Sequence, residues 1–197
     1  PEAVIVTGQI PMRKTAGLTF EDGLELEEET ILDFTRPDDP NWPWMEIDGK
    51  QVCETPIVVT RNGLAYRETR PISSDYNTQV LISYNYAFKH PGDFYLMELE
   101  YPDDQPRFFG VNLCSEHDGP GDHSKAGPSV WTGVNHLNSG KMQRLQWLFR
   151  PDYGYTSINL INMLAGSTAA ASKLRIARVK GRLPELDVAG NARRFGV

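Results

Sequence analysis

The chain has 197 residues, a formal net charge of -6, 40 % hydrophobic residues and only two cysteines, Cys53 and Cys114. A chain of this length buries a core without disulfide staples, and the two thiols read as separate small hydrophobes rather than a bridge. The acidic balance and the scattered Lys and Arg exclude nucleic-acid or anionic-membrane binding, which needs concentrated basic charge, and no run approaches the roughly 20 apolar residues of a membrane span.

In chain order, "AVIVTGQI" reads as a strand, "LELEEETILDF" as either a helical turn or an edge strand, and "TRPDDPNWPW" as a proline-punctuated loop. "PIVVTRNG" and "GLAYRETR" read as two further strands. From Gln79 the hydrophobic period is two: in "QVLISYNYAF", Val80, Ile82, Tyr84, Tyr86 and Phe88 share one face. "HPGD" supplies turn chemistry, and "FYLMELEY" then alternates Tyr95, Met97, Leu99 and Tyr101 against Phe94, Leu96, Glu98 and Glu100, so the two runs together predict a hairpin. "PDDQP" ends the second run with two prolines that cannot extend a ladder.

"RFFGVNLC" predicts a strand with Phe109, Val111 and Leu113 on one side. A long Gly- and Pro-rich loop follows, "SEHDGPGDHSKAGPSVWTG", which Trp131 ends. "KMQRLQWLFR", with Leu145, Trp147 and Phe149 in register, and "YTSINLINML", with Ile158, Leu160 and Leu164 on one face, predict two more strands, and "KLRIARVKG" closes the series after "AGSTAAAS". No stretch after residue 78 has a helical period. The fold class expected is all-β, an antiparallel jelly-roll β-sandwich over residues 55–183, with an irregular N-terminal extension (1–54) packed on it. The opening "PEAVIVTG" and the closing "LPELDVAGNARRFGV" read as the ends of a domain cut from something longer, with 184–197 a linker toward a next domain.

Few motifs carry chemistry. Glu116, His117, Asp118, Asp122 and His123 are competent metal ligands, but the two histidines lie six apart, outside ordinary zinc spacings, and the calcium-loop pattern is absent. A Gly-Pro loop also loses much entropy in assembling a site, so a solvated loop is the preferred reading. There is no G-x-S-x-G elbow and no phosphate loop. The adjacent acids Asp38–Asp39 and Asp103–Asp104 read as turn formers. Aromatic residues say more. Trp42, Trp44 and Trp131 fall in predicted loops, and Tyr153 and Tyr155 flank a glycine. Flat rings at a sandwich rim are surfaces on which the apolar faces of sugar rings stack, and Asn135, Asp152 and Asn41 offer hydroxyl partners nearby. Trp147, in phase with Leu145 and Phe149, reads as core.

The strand order, the phrase "YLMELEYPDDQPRFFGVNL" and the last strand "SKLRIARVKG" resemble the galactose-binding-domain-like β-sandwiches that accompany many carbohydrate-active enzymes. That resemblance, over residues 55–183, implies a non-catalytic saccharide-binding accessory module of a larger extracellular or periplasmic protein, associated with glycoside processing. Its partners would be a polysaccharide and an adjacent domain, and it would need no cofactor beyond a structural calcium that many such domains hold. No acidic calcium signature matches; Glu25, Glu27 and Glu28 offer carboxylates without fitting a pattern. Two alternatives stand beside it. One is a sandwich that only braces neighbouring domains; the other is a hydrolytic or metal site on the 115–131 loop formed by His117, Asp118, Asp122 and His123 beside Trp131.

Overall fold

The computed structural model describes residues 24–36, 39, 46–47, 50–51, 56–71, 81–114, 125–134, 136–151 and 157–181. In chain order the strands are β1 (Glu25–Asp33), β2 (Glu46–Ile47), β3 (Lys50–Gln51), β4 (Ile57–Arg61), β5 (Leu64–Glu68), β6 (Leu81–Asn85) and β7 (Tyr95–Asp103). They continue with β8 (Arg107–Cys114), β9 (Lys125–Thr132), β10 (Lys141–Phe149), β11 (Ser157–Asn162), β12 (Ala170–Ala171) and β13 (Lys173–Lys180). No helix occurs among the described residues, and so none is long and apolar enough to cross a membrane.

Two four-stranded antiparallel sheets form the body, ordered β1-β13-β7-β10 and β6-β11-β8-β9. Renumbered along the chain, these eight strands run 1-8-3-6 and 2-7-4-5, which is the jelly roll: apart from the fourth and fifth, which form a hairpin, successive strands cross between sheets, and the last three pair with strands laid down much earlier. The expected fold class is therefore the observed one. The connections differ from the expectation in one respect. The runs around 80–88 and 94–101 form no hairpin, because β6 and β7 belong to different sheets. Both alternate with period two, and alternation identifies a half-buried strand without saying which sheet receives it.

"LELEEETILDF" proves to be an edge strand: β1 closes the first sheet against β13, with a register shift between Glu27 and Thr30 where Glu28 takes a positive φ of 52°. The sandwich thus takes a strand from within residues 1–54. Pro102 lies inside β7, opposite Met142, instead of ending it. It is tolerated because β13 pairs with β7 only as far as Glu100, so that flank of Pro102 has no ladder to donate to. Leu164 lies beyond the end of β11 and is half exposed, so it does not share the face of Ile158 and Leu160.

The core fills the space between the sheets. Met97, Leu99, Leu174 and Ile176 come from the first, and Ile82, Phe109, Val111, Leu113, Ile158 and Leu160 from the second, all essentially buried. Leu145, Trp147 and Phe149 of β10 pack partly buried against this cluster, as their phase predicts. Phe88 closes one end by edge-on contacts with Tyr95 and Tyr86 at centroid distances of 4.9 and 5.0 Å.

A third, three-stranded sheet, β12-β5-β4, is built on the β4–β5 hairpin. Asn62 and Gly63 both have positive φ at its two-residue turn, the geometry that matches strand twist and that Asn-Gly adopts at least cost. Side chains of β5 alternate in role. Arg67 donates to the carbonyl oxygens of Phe34 (2.8 Å) and Arg36 (2.7 Å), while Tyr66 and Glu68 point the other way, toward the turn that joins β7 to β8.

Candidate functional site

The second sheet carries its apolar set inward through Phe109, Val111 and Leu113, so Phe108, Gly110 and Asn112 of β8 face outward. Register then fixes their neighbours. Trp131 stands opposite Phe108 and Ser129 opposite Gly110 on β9; Ile161 stands opposite Gly110 and Asn159 opposite Asn112 on β11; Ser83 of β6 stands opposite Asn159. None of these outward positions carries a charged side chain.

This face is closed on one side and open on the other. Leu81, Ser83 and Asn159 are buried although they turn away from the core, whereas Trp131 on the edge strand is 61 % exposed. Its indole stacks on the Phe108 ring at a centroid distance of 4.7 Å and an interplanar angle of 31°. The tilted ring contact supports the indole from one neighbour while more than half of the residue stays open to solvent. Met163, half exposed, covers Gly110 on the same face: a Cβ added at Gly110 would meet its sulfur at 2.9 Å. Leu164, Val134 and Leu137 are also exposed on the loops that follow β11 and β9.

Trp131 therefore sits in a strand and does not end a loop. "KAGPSVWT" hides this because Gly127 and Pro128 read as loop residues. The structure accommodates them through a register shift between Gly110 and Asn112 on an edge strand, where a proline needs no inner ladder bond. Gly127 also allows a close approach, since a Cβ there would lie a tight 3.3 Å from Val111 Cβ and from its carbonyl oxygen.

Next to Phe108 and Trp131 lies a charged network whose centre is buried and whose rim, at Arg61, reaches solvent. Arg107, the inward neighbour of Phe108, has a fully buried side chain whose Nη1 donates to Glu68 Oε1 at 2.6 Å and whose Nη2 donates to Asp104 Oδ1 at 2.8 Å. Glu68, only 5 % exposed, also accepts from Arg61 (2.7 Å to Oε2), from Gln105 Nε2 (2.9 Å) and from the Thr168 hydroxyl (3.0 Å). Arg107 donates in turn to Thr168, and the Tyr66 hydroxyl donates to Asp104.

Burial first, and then the bond to Asp104, push the Tyr66 hydroxyl up to about 12. Burial acts on Asp104 in the raising direction, but the donors Tyr66 and Arg107 outweigh it and hold that carboxyl below its ordinary value. Asp104 is thus more than a turn former. Asp103 beside it accepts from Asn138 Nδ2 (2.8 Å) and the Ser139 backbone N–H (2.9 Å), which ties down the loop after β9. Asp39 likewise accepts from the Tyr84 hydroxyl at 2.9 Å.

Trp131 is the one predicted site residue that falls in the described part of the chain. Trp42, Trp44, Asn135, Asp152, Tyr153 and Tyr155 lie outside the described residues, as do His117, Asp118, Asp122 and His123. Among the described residues no three His, Cys, Asp or Glu side chains are grouped to hold a metal ion. An open cleft of about 460 Å³ lies elsewhere, lined by Glu27, Asp93, Phe94 and Arg178, whose charges already pair with one another. Sequence reading missed Phe108 and Met163. Phe108 was legible in principle, because it is the odd-phase aromatic of "RFFGV" and must face away from Phe109.

No family model and no curated relative matches the chain. Solved structures similar to it include the C-terminal CBM6 of LamC, a laminarinase from Zobellia galactanivorans, at 10 % identity and TM-score 0.45 over 75 % of this chain and 98 % of that one. Another is the CBM22-1–GH10 module pair of a Clostridium thermocellum xylanase complexed with xylohexaose, at 8 % identity and TM-score 0.47 over 79 % and 28 % of the two chains. A third is a cleaved adhesin domain of Lys-gingipain from Porphyromonas gingivalis, at 10 % identity and TM-score 0.46 over 80 % and 100 %. The chain is thus similar in structure to carbohydrate-binding modules and to a cleaved adhesin domain.

Proposed function

We propose that this domain is a non-catalytic saccharide-binding module of a larger carbohydrate-active protein that works outside the cytoplasm, where polysaccharides are met. The observation that carries the reading is Trp131, largely exposed and in ring contact with Phe108, on a face lined by Gly, Ser and Asn without charge. A pyranose offers an apolar C–H face and a rim of hydroxyls. The indole takes the first by excluding water, and amides and hydroxyls such as Asn112 and Ser129 suit the second. One platform gives weak binding, which tethering to a neighbouring domain raises through effective concentration.

The two carboxylates that pair with Arg107, the neighbour of Phe108, suit a structural role. Glu68 and Asp104 are buried in ion pairs, 5 % and 4 % exposed, where neither reaches a substrate as acid or base. The test is titration of the chain's tryptophan fluorescence with soluble polysaccharides, in the parent and in Trp131→Ala. A saturable change in the parent that disappears in the variant is expected. Silence of the parent across the whole panel overturns the reading.

A second reading has its own observation. Val134, Leu137, Met163 and Leu164 are exposed apolar side chains on the loops next to Trp131, as they would be if a neighbouring domain packed there. In that case Trp131→Ala weakens attachment of the adjacent domain and leaves polysaccharides without effect.

A further inference from the structure

Each residue of the aromatic platform has a chain neighbour connected to Glu68, directly for Arg107 and through Gln105 for Thr132. On β8, Arg107 precedes Phe108 and bonds to Glu68. On β9, Thr132 follows Trp131, and its hydroxyl donates to the Gln105 carbonyl oxygen at 2.7 Å, while the Gln105 side chain donates to Glu68. A third connection runs through the loop after β11. There the Phe108 N–H donates to Ser167 Oγ at 2.8 Å and the Met163 N–H donates to the Phe108 carbonyl at 3.0 Å; Thr168, next to Ser167, bonds to both Glu68 and Arg107.

Past Asn162 the β11 ladder has ended, so side-chain and loop contacts take its place in holding the Phe108 backbone on that flank. We infer that Glu68 and Thr168, neither of them on the open face, are positioning residues that set the plane of Trp131 through Phe108 and Thr132. A side chain on an edge strand that has to stack on a flat sugar face gains from being held in place before the ligand arrives, because less freedom is lost on binding. Glu68 is suited to this as a hub: it sits on a separate sheet, is buried, and accepts four donors from β4, β8, the β7–β8 turn and the β11–β12 loop.

The functional consequence rests on the saccharide-binding reading, whereas the structural claim does not, and the experiment separates them. In the isotope-labelled full chain, the Trp131 indole N–H resonance is identified by its loss in Trp131→Phe. Thr168→Val and Glu68→Gln are then expected to shift or broaden that resonance and to weaken saccharide affinity about tenfold, the size of effect loss of preorganisation brings. Thr168→Ser, which keeps the hydroxyl, restores both. Leu174→Ala, in the core on the opposite sheet, lowers the melting temperature without moving the resonance.

An unchanged indole resonance in Thr168→Val, alongside a stability loss like that of Leu174→Ala, overturns the inference. If Glu68→Gln does not fold, the Thr168 pair carries the test. If the parent binds no saccharide, the proposed function falls, while the resonance still decides the positioning role.

Discussion

Charged residues gather in two regions of this sandwich, and they do different work. At one end Arg107, Glu68, Asp104, Tyr66 and Thr168 interlock out of water. Along the opposite edge β1 and β13 face each other through a ladder of surface pairs, Glu25–Lys180, Glu27–Arg178 and Glu29–Arg175, with Arg178 also reaching Glu28 and Asp93. The ladder spends little desolvation and gains little, because water and salt screen it. The buried set gives up hydration that only its own partners replace, so each member becomes indispensable to the others even though the set as a whole need add little stability. What a buried network supplies is a unique arrangement, and here that arrangement lies next to the exposed indole.

The sharpest way to break the contrast is to remove a member of the buried set. Arg107→Met leaves Glu68 and Asp104 closed in without their main partner, and urea denaturation should show a loss of about 3–5 kcal/mol. A result near zero would make the two regions equivalent.

Next comes Tyr66→Phe, which deprives Asp104 of a donor at the cost of about 1–3 kcal/mol, measured the same way. The wild-type hydroxyl also predicts a pH effect. Its folded value of about 12 exceeds the ordinary 10.0, so its contribution is complete below pH 10 and fades as pH rises from there toward 12; Tyr66→Phe should be flatter in that window. Asp104 acts at the other extreme. Held below its ordinary 3.8, it contributes above that pH, and its contribution is lost as the solution becomes more acidic.

The smallest effect belongs to the ladder. Glu29→Gln should cost about 0.2–1 kcal/mol at low ionic strength and less as salt is added, read from paired denaturation curves.

These regions also differ in how far the sequence announces them. Period-two alternation marks β7, β8, β10, β11 and β13 because each has one face in the core, and the same logic places Trp147 inside. It fails where two-sided burial or irregularity intervenes. β1 reads ambiguously because a run of glutamates and a bulge interrupt its phase, and β9 reads as a loop because Gly127 and Pro128 sit at its own bulge. Trp131 is recognisable as an aromatic that binds or packs, but only the register opposite Phe108 shows which of its sides is covered. The buried network leaves little local trace: Asp104 and Arg107 are only three residues apart but Asp104 looks like any acid in a turn, while Glu68 and Arg107 are 39 residues apart and Glu68 and Thr168 are 100.

The strand order has a consequence for how the chain is made. The first sheet places β13, the last of the described strands, between β1 and β7, and the second places β11 between β6 and β8. While the chain is being synthesised, β1 therefore has no partner in its sheet until Lys173–Lys180 has emerged, and β6 has none until Ser157–Asn162 has. Contacts this distant close slowly, so the sandwich should fold late and as a whole, and a truncation ahead of residue 173 should yield an aggregation-prone set of open strand edges.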